Sequence, residues 1–211
     1  MIAMKSSADT KRRPGRPPSF DRDDALRAAM LAFWRHGYET TSVSDLTTAM
    51  GLAAPSLYAA FGDKERLFLE AVRLYAGDPD DLARDLADAP TAREGARRML
   101  LGAAEAFTGE TTPRGCLLAS SAASGSKKAA RVQAAIAAIR RDVIAALEAR
   151  IARDVDRGIL PRDADPTALA TLTVTVVQGL SVLARDGMGR AALVAVGEAA
   201  MNGWPGSVRG S

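Results

Sequence analysis

The stretch that constrains this chain most is Thr41–Lys64, TSVSDLTTAMGLAAPSLYAAFGDK. It reads as two short helices, a tight turn and the start of a third helix. Ser42 stands where an N-cap belongs, and Asp45, three residues on, is a short-armed form of the acidic partner that completes a capping box. Val43, Leu46 and Met50 recur at helical spacing, so one face is available for burial. Gly51 ends this helix, because a left-handed cap costs glycine no steric strain. Pro55 opens the next helix, where its missing N–H would have no partner anyway. Leu57 and Phe61, four apart, face inward, and Gly62 stops the helix. Two short helices about a glycine-containing turn are the layout of a helix-turn-helix, whose second helix enters the DNA major groove.

The rest of the chain sets limits on this reading. Of 211 residues, 47% are apolar, which is enough for a packed core. Alanine is abundant, aromatics are few and strand-like alternation is nearly absent, so the expected class is all-α. Net charge is only +3, too small for a general polyanion binder, but it is unevenly placed. Met1–Phe20 holds Lys5, Lys11, Arg12, Arg13 and Arg16 against Asp9 alone, a local +4. A basic arm with Arg12, Arg13 and Arg16 ahead of a compact domain suits phosphate or minor-groove contact; the alternative is a solvated tail. KRRPGRPP keeps the arm from regular structure.

The N-terminus lacks the apolar core of a secretory signal. Pro166–Ala184 is uncharged and nearly long enough to span a membrane, but it carries Thr167, Thr171, Thr173, Thr175, Gln178 and Ser181. It is expected instead to be a helix buried all round, in a core or a subunit interface. A single cysteine excludes an intrachain disulfide. The expected setting is cytoplasmic, without membrane insertion.

In chain order, the first helix is expected over Asp21–His36, with Asp21 as cap and Leu26, Ala29, Met30 and Phe33 inward. His36, the chain's one histidine, suits the negative end of that helix. Asp63 caps a fourth helix whose inward residues are Leu67, Ala71, Leu74 and Tyr75. Gly77-Asp78-Pro79 is the expected domain boundary, separating a basic arm (1–19) and a DNA-binding domain (20–77) from a helical body (78–211). In the body we expect a short polar helix over Asp80–Ala87, and a helix from a Thr91/Glu94 capping box to Thr108. A short helix over Cys116–Ser124 follows, then a long one from a Ser126 cap to Arg157. The last two are Pro166–Asp186 and Arg190–Asn202.

Phe20–Val72 as a whole, with FWRHGYETTS, DL..AMG and PSLYAAFGDKE.LF in order, resembles the DNA-binding domain of the TetR/AcrR family of transcriptional repressors. PRGCLLASSA and QGLSVLARDG resemble pieces of that family's second half more loosely. The resemblance implies an N-terminal three-helix DNA-binding domain and a C-terminal helical domain for ligand binding and dimerisation. Its partners would be a double-stranded operator and a small-molecule inducer, with the homodimer formed through residues 166–202. It implies that Tyr58 bonds a phosphate, that Lys64 holds the DNA backbone, and that Thr41 and Ser42 present hydroxyl and helix-start N–H groups to another phosphate. Ala53, Ala54, Pro55 and Ser56, with Ala59 and Ala60, complete the expected contact surface. These are small, so help from the arm and from DNA shape is expected.

Met99, Phe107 and Cys116 are candidate inducer-pocket residues, though ordinary core packing suits each as well. Cys116 follows Pro113-Arg114-Gly115 and is expected in the first turn of a helix, where the helix start and a nearby Arg favour thiolate; the alternative is a small buried apolar residue. One His, one Cys and no metal-ligand cluster argue against an enzyme, a metal site or a cofactor. A helical interaction module that no longer binds DNA is the remaining alternative.

Overall fold

The computed structural model describes residues 20–121 and 129–206. Ten α-helices succeed one another among these residues, with no strand. Helices α1 (Arg22–His36), α2 (Val43–Met50), α3 (Ala54–Phe61) and α4 (Lys64–Ala76) build an N-terminal head. The body comprises α5 (Pro79–Asp88), α6 (Ala92–Ala106), α7 (Leu117–Ser120), α8 (Ala130–Asp156), α9 (Pro166–Arg185) and α10 (Arg190–Ala200). A 3₁₀ turn, Met201–Gly203, follows α10.

The head is set by caps and a compact core. The Asp21 carboxylate accepts from the N–H groups of Asp23 and Asp24, and the Asp63 carboxylate accepts from Arg66 N–H. Ser42 and Asp45 make both halves of the capping box. Each such cap contributes about 1 kcal/mol. Gly51, at φ 64°, supplies the left-handed turn between α2 and α3. Phe33, Leu46, Leu57, Leu67 and Phe68 have no exposed surface. Phe33 and Phe68 meet edge to face with centroids 5.0 Å apart. The buried face of α4 is Leu67, Phe68, Ala71 and Val72. Leu74, expected inward, is instead 42% exposed; the stripe keeps Leu67 and Ala71 and takes in Phe68 and Val72.

The body differs from expectation in two places, the start of α8 and the capping box at Thr91. Ser126 and the end of the Cys116–Ser124 helix lie outside the described residues, and α8 begins at Ala130 without a side-chain cap. Thr91 Oγ1 accepts from Glu94 N–H, but Glu94 turns its carboxylate to Arg98 (3.2 Å) rather than back to residue 91. Within the single chain, helix α9 is covered on one side. Leu169, Ala170, Thr173, Val174, Leu180, Ser181 and Ala184 pack inward, towards α6, α8 and α10, while Leu172 is 42% and Val182 55% exposed. By length and composition α9 alone among the described helices could cross a membrane; its most apolar 18-residue window is 39% buried in this fold.

Buried polar groups fasten the body together. Asp154 is fully buried and pairs with Arg150, which is 4% exposed. Arg150 donates to the carbonyls of Leu86 (2.9 Å) and Ala89 (3.1 Å), and Asp154 accepts from Ala92 N–H (2.6 Å). The α5–α6 turn is thereby pinned to α8. A buried pair of this kind is tolerable because each charge has further hydrogen bonds.

Head and body meet where α4 packs on α8 and at Arg114-Gly115-Cys116. Trp34 of α1 donates from Nε1 to Gly115 O (3.1 Å) and sets its ring against Tyr75 of α4, centroids 4.8 Å apart. Cys116 N–H donates to Ser181 Oγ on α9 (2.8 Å). Gly115 has φ 78°, and a Cβ there would lie 2.7 Å from Arg185 Cγ and 2.8 Å from Ser181 O. Only glycine allows the loop to approach α9 this closely.

Candidate nucleic-acid interface

Helix α3 presents a surface of small side chains around one aromatic. Leu57 and Phe61 turn inward and hold it on the head core. Ala53, Pro55 and Tyr58 are exposed, and Ala54 and Ser56 are half-exposed. Tyr58 is 50% exposed, so its ring is not a core residue and its hydroxyl is free to meet a partner. This surface can touch thymine methyl groups and make single hydroxyl bonds, but it has no Arg or Asn for a bidentate base contact.

Lys64, at the start of α4, is not a freely solvated lysine. Its Nζ donates to Glu39 O (3.3 Å) and stands 4.7 Å from the centroid of the Tyr38 ring. Partial burial holds its pKa below the ordinary lysine value, although Glu39 and Asp45 act the other way. Tyr38 is fixed in turn against Phe68, with centroids 4.9 Å apart. Burial raises the Tyr38 pKa, and the charges of Glu65, Asp63 and Glu39 raise it further. Sequence reasoning missed Tyr38 and Glu39; the aromatic directly after His36-Gly37 was the available signal.

Ser42 is exposed at the start of α2, its hydroxyl shared with Asp45. Its hydrogen bond, followed by one from the Ser42 backbone, holds the Asp45 carboxyl below the usual carboxylate range. Thr41 departs from expectation. It is fully buried, and its Oγ1 donates to Gly37 O (2.6 Å), so it has no hydroxyl to offer a phosphate. Its place is to close the turn between α1 and α2. Arg12, Arg13 and Arg16 lie outside the described residues.

The three pocket candidates are spread through the body. Met99 lines a cleft of about 410 Å³ between α5 and α6, with Leu82, Leu86, Asp85, Asp88, Gly95 and Arg98. Phe107 and Cys116 are core residues, 6% and 5% exposed. Cys116 is the N-cap of the four-residue α7 rather than part of its first turn. The neighbouring Arg114 directs its guanidinium to Ala184 O and Met188 O. A separate apolar cavity of about 100 Å³ lies where α4 ends, lined by Ala76, Gly77, Leu82, Ile139, Val143 and Ala146, with Asp78 and Asp142 beside them.

A capped short helix, a left-handed glycine turn and an exposed second helix define a DNA-binding protein of the helix-turn-helix class. Within that class the chain belongs to the TetR family of bacterial transcriptional regulators. Residues 25–71 match the family model described as bacterial regulatory proteins, tetR family. Residues 95–195 match the tetracyclin repressor-like C-terminal domain. The chain is 31% identical over 206 residues to the HTH-type transcriptional repressor ComR of Escherichia coli K12, covering 97% of this chain and 98% of ComR. Its fold is similar to that of the TetR family transcriptional regulator CifR, in a cysteine-substituted form complexed with 26-bp double-strand operator DNA. That match has a TM-score of 0.86 and 43% identity over 90% of this chain and 100% of the CifR chain. The reduced form of E. coli NemR shares the fold at TM-score 0.75 and 19% identity, over 90% of this chain and 98% of that one.

Proposed function

We propose that the protein is a cytoplasmic transcriptional repressor that binds a pseudo-palindromic operator as a homodimer and is released by a small molecule. The observation that carries this reading is the exposed, side-chain-poor α3, with polar anchors before it at Ser42 and after it at Lys64. The similarity to an operator-bound regulator over nearly the whole chain supports it. Tyr58 and Lys64 bond phosphates, Ser42 and the start of α2 meet another phosphate, and Ala53, Ala54, Pro55 and Ser56 lie along the bases. Arg12, Arg13 and Arg16 add sequence-independent affinity from the arm. The test is a gel-shift titration on DNA flanking the gene across a salt series. Nanomolar, competitor-resistant binding with two-fold-symmetric protection supports the reading. Weak binding that vanishes at modest salt means that the basic arm alone is acting, and points to a helical interaction module or to an operator elsewhere.

The dimer is supported by the uncovered apolar side of the body. Leu172 and Val182 on α9 and Val196 on α10 are 42%, 55% and 38% exposed, within the predicted 166–202 interface. Pairing this surface with its two-fold copy covers it and presents two recognition helices. Leu172→Glu with Val182→Glu is expected to give monomers in sedimentation and to abolish cooperative operator binding.

Release follows if a ligand prefers one position of α4 over another. The cavity at Ala76–Asp78 is walled partly by α4 itself, which favours it as the place where ligand and head are coupled. A second reading, regulation through the Cys116 thiol, is favoured by one contact. Tyr75 has its pKa raised by burial and then by the adjacent Cys116, so the thiol sits against an α4 residue inside the joint. An unchanged response of Cys116→Ser to an electrophile in the DNA-binding assay removes the thiol from the mechanism.

A further inference from the structure

Beside the joint, Arg35, Pro113, Arg114 and Arg185 line an open cleft of about 380 Å³. Three guanidinium groups therefore share one small surface. Among the described residues, none of the three forms an ion pair with a carboxylate. Two of them are held in place without being neutralised. Arg114 donates from Nε to Ala184 O (2.9 Å) and from Nη2 to Met188 O (2.7 Å). Arg185 donates from Nε to Arg114 O (3.3 Å) and from Nη2 to Trp34 O. Each keeps Nη1 without a partner among the described residues. Arg35, in the last turn of α1, is exposed and makes no side-chain hydrogen bond within that set.

From this arrangement we propose that the cleft is a binding site for a small polyvalent anion carrying phosphate or carboxylate groups. A fixed guanidinium offers a planar fork of donors that matches a phosphate or carboxylate, and bonds of this kind are the strong ones. Carbonyl partners orient the forks but leave their charge intact, so three positive charges remain for a ligand to neutralise. Arg35 belongs to the head, whereas Arg114 and Arg185 belong to the body. An anion held by all three bridges the joint and stabilises one arrangement of head on body. Its effect on operator affinity rests on the repressor reading; the binding itself does not.

The test is calorimetric titration of the full chain, free of DNA, with inorganic pyrophosphate and, separately, with citrate, against chloride at matched ionic strength. Saturable binding of one anion per chain is expected, with one of the two binding tighter and so identifying phosphate or carboxylate as the preferred chemistry. Arg35→Ala, which removes an exposed side chain with no structural bond, is expected to weaken binding about tenfold or more, the loss of one charge-assisted contact. Arg35→Lys keeps the charge but not the fork and falls between. Absence of saturable binding, or equal affinity in Arg35→Ala, overturns the proposal. So does a drop of about one in the salt slope of DNA binding by Arg35→Ala with no anion added, since Arg35 would then be a DNA-phosphate contact. Failure of the chain to bind DNA at all leaves the calorimetric result standing, so the two readings fail separately.

Discussion

The head and the body of this protein are ordered by different means. In the head, Asp21, Ser42 and Asp63 each satisfy a backbone N–H no more than three residues away, and the recognition helix, itself without a side-chain cap, follows one glycine turn. In the body, the decisive bonds cross long stretches of chain. Arg150 reaches a carbonyl 64 residues away, Arg114 one 70 residues away, and Arg185 one 151 residues away. Local order makes the head a nearly self-contained reading device. Remote order makes the body, and above all its joint with the head, sensitive to anything that moves one helix against another. A regulator needs both properties, a rigid surface for DNA and a deformable link to it.

Mutations can break or sharpen this contrast. The largest effect is expected for Asp154→Ala, which leaves the Arg150 charge buried without its partner. A loss of about 3–5 kcal/mol in chemical denaturation is expected, whereas replacing both residues with leucine should cost much less. Gly115→Ala comes next. The added Cβ meets α9 at under 3 Å and the φ of 78° is strained, so about 2 kcal/mol should be lost. Operator affinity should fall with it, because the loop carries the Trp34 contact.

In the head the effects are smaller and local. Ser42→Ala should cost about 1 kcal/mol, the worth of one N-cap, with the body's denaturation unchanged. Lys64→Gln should cost about 1 kcal/mol, through the lost seat on the Tyr38 ring and the altered bond to Glu39 O, and lower the salt slope of DNA binding by about one. The smallest effect concerns pH. The Asp45 carboxyl is held below its ordinary value by Ser42, so its stabilising contribution is complete above that value and is lost as pH falls through the lowered one. Thermal melts of the wild type and Asp45→Ala should therefore differ at neutral pH and converge at acid pH. A constant gap would mean that Asp45 acts without its charge.

The same contrast explains what could be read before the structure. The all-α class, the caps at Asp21, Ser42 and Asp63, the inward Leu57 and Phe61, and the glycine turn at Gly51 were legible, because each depends on residues a few positions apart. Thr41 was misread because its hydroxyl is consumed by Gly37 O, a bond that forms only once the α1–α2 turn closes. Leu74 was misplaced because the α4 stripe is chosen by what α1 and α8 present to it. Which side of α9 the chain itself covers was not legible for a similar reason, since hydrophobicity does not say which side a neighbour will cover.

By itself, then, the amino-acid order determined the helices of the head, their caps and which residues of α3 turn inward, where the period of the helix and the reach of a short side chain decide the outcome. Tertiary structure alone decided that Lys64 rests on Tyr38, that Arg150 and Asp154 pin the α5–α6 turn, and that Arg35, Arg114 and Arg185 share one cleft. Those arrangements join residues tens of positions apart, and only the packing of whole helices sets which side chains then come within bonding distance.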